Sequence, residues 1–109
     1  MHQLIEDTLS PLGIEIAWGT YEGNAEHYLL FSIYNEDRHE LCDDTFLYER
    51  YDVTLTYWFK KPEYLKNKSR IKQALLEAGF MFDGAKDVFD QRMKGIHFDF
   101  IYEKEKERF

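Results

Sequence analysis

Apolar residues recur at helical spacing in two stretches of this chain and alternate with polar residues over much of the rest. Leu4, Ile5, Thr8 and Leu9 fall on one face at a period of about 3.6 residues, which predicts a short helix ended by Pro11 and Gly13. Ile14-Glu15-Ile16-Ala17-Trp18 alternates and reads as a strand, followed by turn residues at Gly19 and Glu22-Gly23-Asn24. Tyr28 to Tyr34 is apolar on both faces, so this second strand is expected to be central or covered on both sides. Asn35 to Asp44 is polar and acidic, and reads as a long loop of the kind that carries function.

The strongest strand signal runs from Thr45 to Phe59. Tyr51, Val53, Leu55, Tyr57 and Phe59 line one face, and Asp52, Thr54, Thr56 and Trp58 the other. Its length exceeds the usual range, so a bend or bulge is expected near Glu49-Arg50. With the preceding strand it forms a long antiparallel hairpin around the acidic segment. Pro62 then opens the main helix, Glu63 to Ala78. Tyr64, Lys68, Ile71, Leu75 and Ala78 form its stripe, and Gly79 stands where a C-terminal cap belongs.

Phe80-Met81-Phe82 and Asp87-Val88-Phe89-Asp90 read as strand fragments broken at Asp83-Gly84. Gly95 to Tyr102 is the last strand, with Ile96, Phe98, Phe100 and Tyr102 on one face and His97 and Asp99 on the other. Glu103 to Arg108 is a charged tail expected to fray. The order predicts one α+β domain over 1–109: a mostly antiparallel sheet of four to five strands, with two helices on one face. Trp58 and its threonines then occupy the opposite face, a candidate contact surface for another protein.

Composition narrows the function. An aromatic share of 17% is too high for a disordered chain. A net charge of −7 repels phosphate backbones, so no specific nucleic-acid binding is expected. Lys60, Lys61, Lys66, Lys68, Arg70 and Lys72 cluster, but read as the solvated face and flank of one helix. Cys42 is a single cysteine among acidic neighbours, which excludes an internal disulfide and disfavours a nucleophilic thiolate. The residues from Met1 lack a basic, apolar leader, and no run reaches membrane-spanning length. These features predict a protein made in a cytoplasm-like compartment, or carried in a particle assembled there.

Two groups of residues offer chemistry. Asp37-Arg38-His39-Glu40 with Cys42, Asp43 and Asp44, joined by His27 across the hairpin, supplies metal-ligand types. It lacks the His-Glu-x-x-His and paired Cys-x-x-Cys spacings, and a solvated acidic segment is the better reading. His97 and Asp99 share a strand face and form a potential acid–base pair, but no nucleophile lies nearby in sequence. The six glycines are scattered at turns, with no phosphate-cradling loop. No catalytic, metal or cofactor site is therefore expected. The candidate protein-contact residues are Asp37, Arg38, His39, Glu40, Asp43, Asp44 and Trp58.

The order and texture of segments carry a resemblance. A short helix ends in Pro11-Leu12-Gly13-Ile14 and is followed by Ile16-Ala17-Trp18-Gly19, then by the aromatic strand Tyr28 to Tyr34. Asp43-Asp44 precede Phe46 and Tyr48. Val53-Thr54-Leu55-Thr56-Tyr57-Trp58, Lys60-Lys61-Pro62-Glu63, Leu75-Leu76-Glu77-Ala78-Gly79-Phe80 and Phe100-Ile101-Tyr102-Glu103 follow. Taken together, these resemble the small tail-terminator (tail-completion, head–tail joining) proteins of long-tailed phages and phage-derived particles. The resemblance covers nearly the whole chain and rests on no invariant motif. It departs at Ala25-Glu26-His27, where such proteins often carry prolines.

The resemblance implies a structural subunit that forms a homohexameric ring. That ring would end the tail tube and join it to the head connector. The partners it implies are other copies of the chain, the tail-tube protein and the head–tail connector protein. It places the chain at the tail end of a virion or phage-like particle, and in the host cytoplasm during assembly. In that setting Asn35 to Asp44 becomes a contact arm, and an acidic lumen would let DNA slide without sticking. The alternatives are another protein-binding module and, below it, a small metal-dependent enzyme using residues 37–44.

Overall fold

The computed structural model describes residues 1–40 and 46–107, and the side chains of 1–36 and 49–104. The elements in chain order are α1 (His2–Leu9), a 3-10 turn (Ser10–Leu12), β1 (Glu15–Trp18), β2 (His27–Glu40), β3 (Phe46–Phe59), a second 3-10 turn (Pro62–Lys66), α2 (Asn67–Glu77), β4 (Met81–Phe89) and β5 (Lys94–Glu107). The five strands form one sheet in the order β1-β2-β3-β5-β4. β1 runs parallel to β2, and the other pairings are antiparallel. This is the expected α+β fold.

Alternation decides which face is buried. Leu29 and Phe31 of β2, Val53, Leu55, Tyr57 and Phe59 of β3, and Ile96, Phe98 and Phe100 of β5 point to one side. There Ile5 and Leu9 of α1 and Ile71 and Leu75 of α2 close over them. Each such large side chain contributes about 1.5–3 kcal/mol when fully buried. Leu75 and Phe80 also meet across the end of α2. Gly79, at φ 97°, donates to Leu76, and Phe80 donates to Leu75 at 3.0 Å. That pair of bonds is a Schellman cap, and only the left-handed glycine makes it without strain.

Five local expectations are corrected. Asn35–Glu40 is strand, not loop: β2 pairs with β3 as far as Glu40↔Leu47. The tail expected to fray is strand as well, since Glu103 to Glu107 pair with Arg50 to Phe46. The register explains both. It sets Asp37 opposite Arg50, Arg38 opposite Glu49, Glu49 opposite Lys104 and Arg50 opposite Glu103. Opposite charges facing across strands stabilise a ladder that intrinsic propensity would disfavour. Residues 34–40, 46–52 and 102–107 thus extend beyond β1 and β4 as a three-stranded arm. The molecule measures 52 × 23 × 22 Å, its long dimension close to the roughly 3.3 Å per residue of a 14-residue strand.

The expected bulge lies elsewhere. β3 keeps its register past Glu49-Arg50, and the shift is in β2 between Ile33 and Asn35. Tyr34 is the extra residue, and it is turned out to solvent. Residues 81–89 form one strand rather than two fragments. Asp83 and Gly84, with Gly84 at φ 130°, make a bulge within it. Finally, α2 starts only at Asn67. The preceding 3-10 turn shifts the helical phase, so Asn67 takes the buried position and Lys68 is exposed.

Candidate functional site

The sheet face turned away from the helices carries most of the polar groups that sequence singled out. Its rows run across the strands. Tyr28, Trp58, Gly95 and Val88 make one row, and Leu30, Thr56, His97 and Lys86 the next. Trp58 is half-buried rather than exposed. Its indole lies over Gly95, where a Cβ would stand 2.7 Å from Cε3 of the ring. Tyr21, from the turn before β2, stacks on Tyr28 at 3.8 Å between ring centroids. The Tyr21 hydroxyl donates to Glu15, a bond that holds its pKa above the ordinary value.

His97 and Asp99 come together as their spacing suggested. His97 Nε2 lies 3.3 Å from Asp99 Oδ1. The register adds a third member that sequence reasoning missed: Thr56 Oγ1 stands 3.1 Å from His97 Nδ1. The arrangement is consistent if His97 donates through Nε2 to Asp99 and accepts from Thr56 at Nδ1. A proton could pass from the Thr56 hydroxyl to His97. Thr56 is interior to a strand paired on both sides, opposite Leu30 and His97. Its backbone is therefore held in the sheet ladder and offers no free amide for an oxyanion. The trio reads as a cross-strand polar ladder, continued by Ser32 and Thr54 at 2.9 Å.

Beside that ladder, at the root of the arm, Asp52 is 5% exposed. It accepts from Asn35 Nδ2 at 3.0 Å and from Arg50 Nη2 at 3.2 Å. The Asn35 bond, and then the bond and charge of Arg50, hold its carboxyl below the ordinary aspartate value against the cost of burial. Tyr34 stands near Asp52, Asp99 and Asp83. Desolvation first, and then those charges, raise its hydroxyl pKa.

His27, a supposed ligand across the hairpin, belongs to a different network. Its Nδ1 is 2.7 Å from the Tyr57 hydroxyl, and its ring stacks on Tyr64 at 4.1 Å. Tyr64 donates to Glu26, which Lys61 also approaches at 3.6 Å, and both lower the Glu26 pKa. Among the described residues no group of three or more His, Cys, Asp or Glu is placed to hold a metal ion. Cys42, Asp43 and Asp44 lie outside the described residues. For Asp37, Arg38, His39 and Glu40 the strand position is described, near the end of the arm.

No family model and no curated protein matches the chain. Among solved structures, a chain of the virion of a native gene transfer agent particle aligns with a TM-score of 0.54. The alignment covers 96% of this chain and 91% of that one at 16% identity. The two chains share a fold.

The helix side carries several of the exposed apolar side chains. Phe59, Pro62, Leu65, Asp87, Phe89, Lys94 and Gly95 line an open groove of about 260 Å³, with Phe89 70% and Leu65 51% exposed. At the opposite edge of the sheet Trp18 is 64% exposed, its ring edge-on to His2 at 4.5 Å. Sequence reasoning missed both, because the alternation around Trp18 and Phe89 shows which residues share a face but not where the helices stop covering it.

Proposed function

We propose that this chain is a structural subunit of a phage-like particle, which ends the tail tube as a ring and joins it to the head connector. The observation that carries the reading is the end-to-end fold likeness to a virion chain of a gene transfer agent particle. The order of segments, which resembles tail-terminator proteins, supports the finer role. The shape suits it: a helix-backed sheet with one long three-stranded arm, which in this reading reaches a neighbouring protein. The described residues at its end, Asp37, Arg38, His39 and Glu40, are the contact for the tail tube or connector, together with Asp43 and Asp44, which follow them in the sequence. The partners in this reading are other copies of the chain and those two proteins.

The test is deletion of the gene in cells that produce the particles, followed by electron microscopy. Loss of the subunit is expected to give tails of uncontrolled length and heads without tails. Normal, joined tails in the deletion strain would remove the reading.

A further inference from the structure

We infer that the outer edge of β2, along the arm, takes up an extended, net-basic segment of another protein as an added strand. This deepens the arm contact proposed above and rests on that reading for a partner. β1 pairs with β2 only at Tyr28 to Phe31, and Gly19 donates to the Phe31 carbonyl at 2.9 Å before the chain turns away. From Ile33 to Glu40, β2 therefore has β3 on one side and, among the described residues, no strand on the other.

The bulge decides which main-chain groups face that edge. In an antiparallel pair, successive residues alternate between bonding to the partner strand and pointing away from it. Before the bulge the even positions point toward β3. Lys60 donates to the carbonyl of Glu26, just before β2, and Thr54 Oγ1 stands 3.5 Å from the Ser32 carbonyl. Phe31 points the other way, to Gly19. Tyr34 is inserted, so the alternation resumes out of phase. Asn35, Asp37 and His39 then turn to β3, while Glu36, Arg38 and Glu40 present their N–H and C=O groups along the open edge. Such a row is a template for a further strand.

Charge selects the occupant. Residues 34–52 carry seven Asp and Glu against two Arg, a net −5 in a chain of net −7. Along the edge Glu36 and Glu40 flank Arg38, and Asp43 and Asp44 follow in the sequence. A strand with Lys or Arg at alternate positions is attracted there, and an acidic one is repelled. The other outer strands of this chain do not fit. β1 is four residues long and carries Glu15, and β4 carries Asp83 and Asp87 against Lys86. A second copy is thus turned away, and the occupant is a different protein. The far edge of the arm, Glu103 to Glu107 of β5, alternates acid and base and lacks this bias.

The test uses the whole chain, isotope-labelled, and a short end-capped peptide alternating lysine and threonine. Nuclear magnetic resonance reads amide exchange residue by residue. The peptide is expected to slow exchange at Glu36, Arg38 and Glu40, and to leave Asp37 and His39, already bonded to β3, unchanged. A glutamate–threonine peptide should not do so, nor should the lysine peptide with its backbone N-methylated. Arg38→Pro removes one outward N–H and keeps the bonds to β3, and is expected to bind the peptide about tenfold more weakly. Arg38→Ala should bind at least as tightly as the wild type. No binding, slowed exchange with the methylated peptide, equal binding of the glutamate peptide, or an unaffected Arg38→Pro would each overturn the proposal. So would protection at Glu36, Arg38 and Glu40 that grows with protein concentration alone, because a second copy would then hold the edge. Tail length and joining in the deletion strain do not depend on peptide binding, so a failure here leaves the particle role standing.

Discussion

The side-chain amide of Asn67 donates to the hydroxyl of Tyr57 at 2.8 Å, tying the first turn of α2 to the central strand β3. Tyr57 is fully buried, and burial raises its pKa. Arg70 donates to the Asn67 oxygen at 2.7 Å, and His27 Nδ1 takes the remaining position at Tyr57. With Asn67 donating, the phenol donates to His27. Removing either partner strands a buried polar group. Tyr57→Phe and Asn67→Ala are each expected to cost about 1–3 kcal/mol. The double variant should cost less than the sum, because the groups satisfy one another. Urea unfolding of the four proteins checks this, and additive losses would show that the bond does not matter.

Asp52 makes stability depend on acid. Its folded pKa is depressed, so the unfolded chain binds its proton at higher pH than the native one. The contribution is complete above the ordinary aspartate value and is lost as pH falls through the depressed folded value. Asp52→Asn should cost about 1–3 kcal/mol at neutral pH, by weakening the bonds from Asn35 and Arg50. It should also flatten the acid limb of the stability profile. Unfolding midpoints from pH 7 downward, on the order of one unit apart, read both effects.

Gly95 has a steric role. An added methyl would meet Trp58 Cε3 at 2.7 Å and Val88 Cγ2 at 2.9 Å. Gly95→Ala is expected to destabilise by about 1–3 kcal/mol and to shift the fluorescence of Trp58 as the indole is displaced. Trp58→Leu should relieve much of the clash. If Gly95→Ala is neutral in both backgrounds, the indole does not rest on this residue.

The sheet and its buried face were legible because a period of two exposes its own register: Val53 to Phe59 and Ile96 to Phe100 are core as the alternation predicts. The Gly79 cap was legible for a similarly local reason. What escaped was set by partners. Asn35–Glu40 has little strand propensity, and it becomes strand because Arg50 and Glu49 of β3 stand across from Asp37 and Arg38 in complementary register. Lys68 was misplaced in the α2 stripe because a 3-10 turn, invisible to a helical period, precedes the helix. Thr56 joined His97 and Asp99 only through strand pairing, and Trp58 is half-buried, its indole lying over Gly95.

The arm gives a functional prediction separable from stability. Combined replacement of Asp37, Arg38, His39 and Glu40 by alanine, which removes the cross-strand charges opposite Arg50 and Glu49, should cost about 1 kcal/mol or less. Attachment to particles should fall sharply, measured as the fraction of chain that co-sediments with them. Unchanged attachment would take the arm out of the contact.

Immunogold electron microscopy of particles purified from cells that make this chain addresses the central claim most directly. The account predicts gold at the junction between head and tail, on particles that carry complete tails. Purified particles without the chain, with all of it left in the soluble fraction, would contradict it.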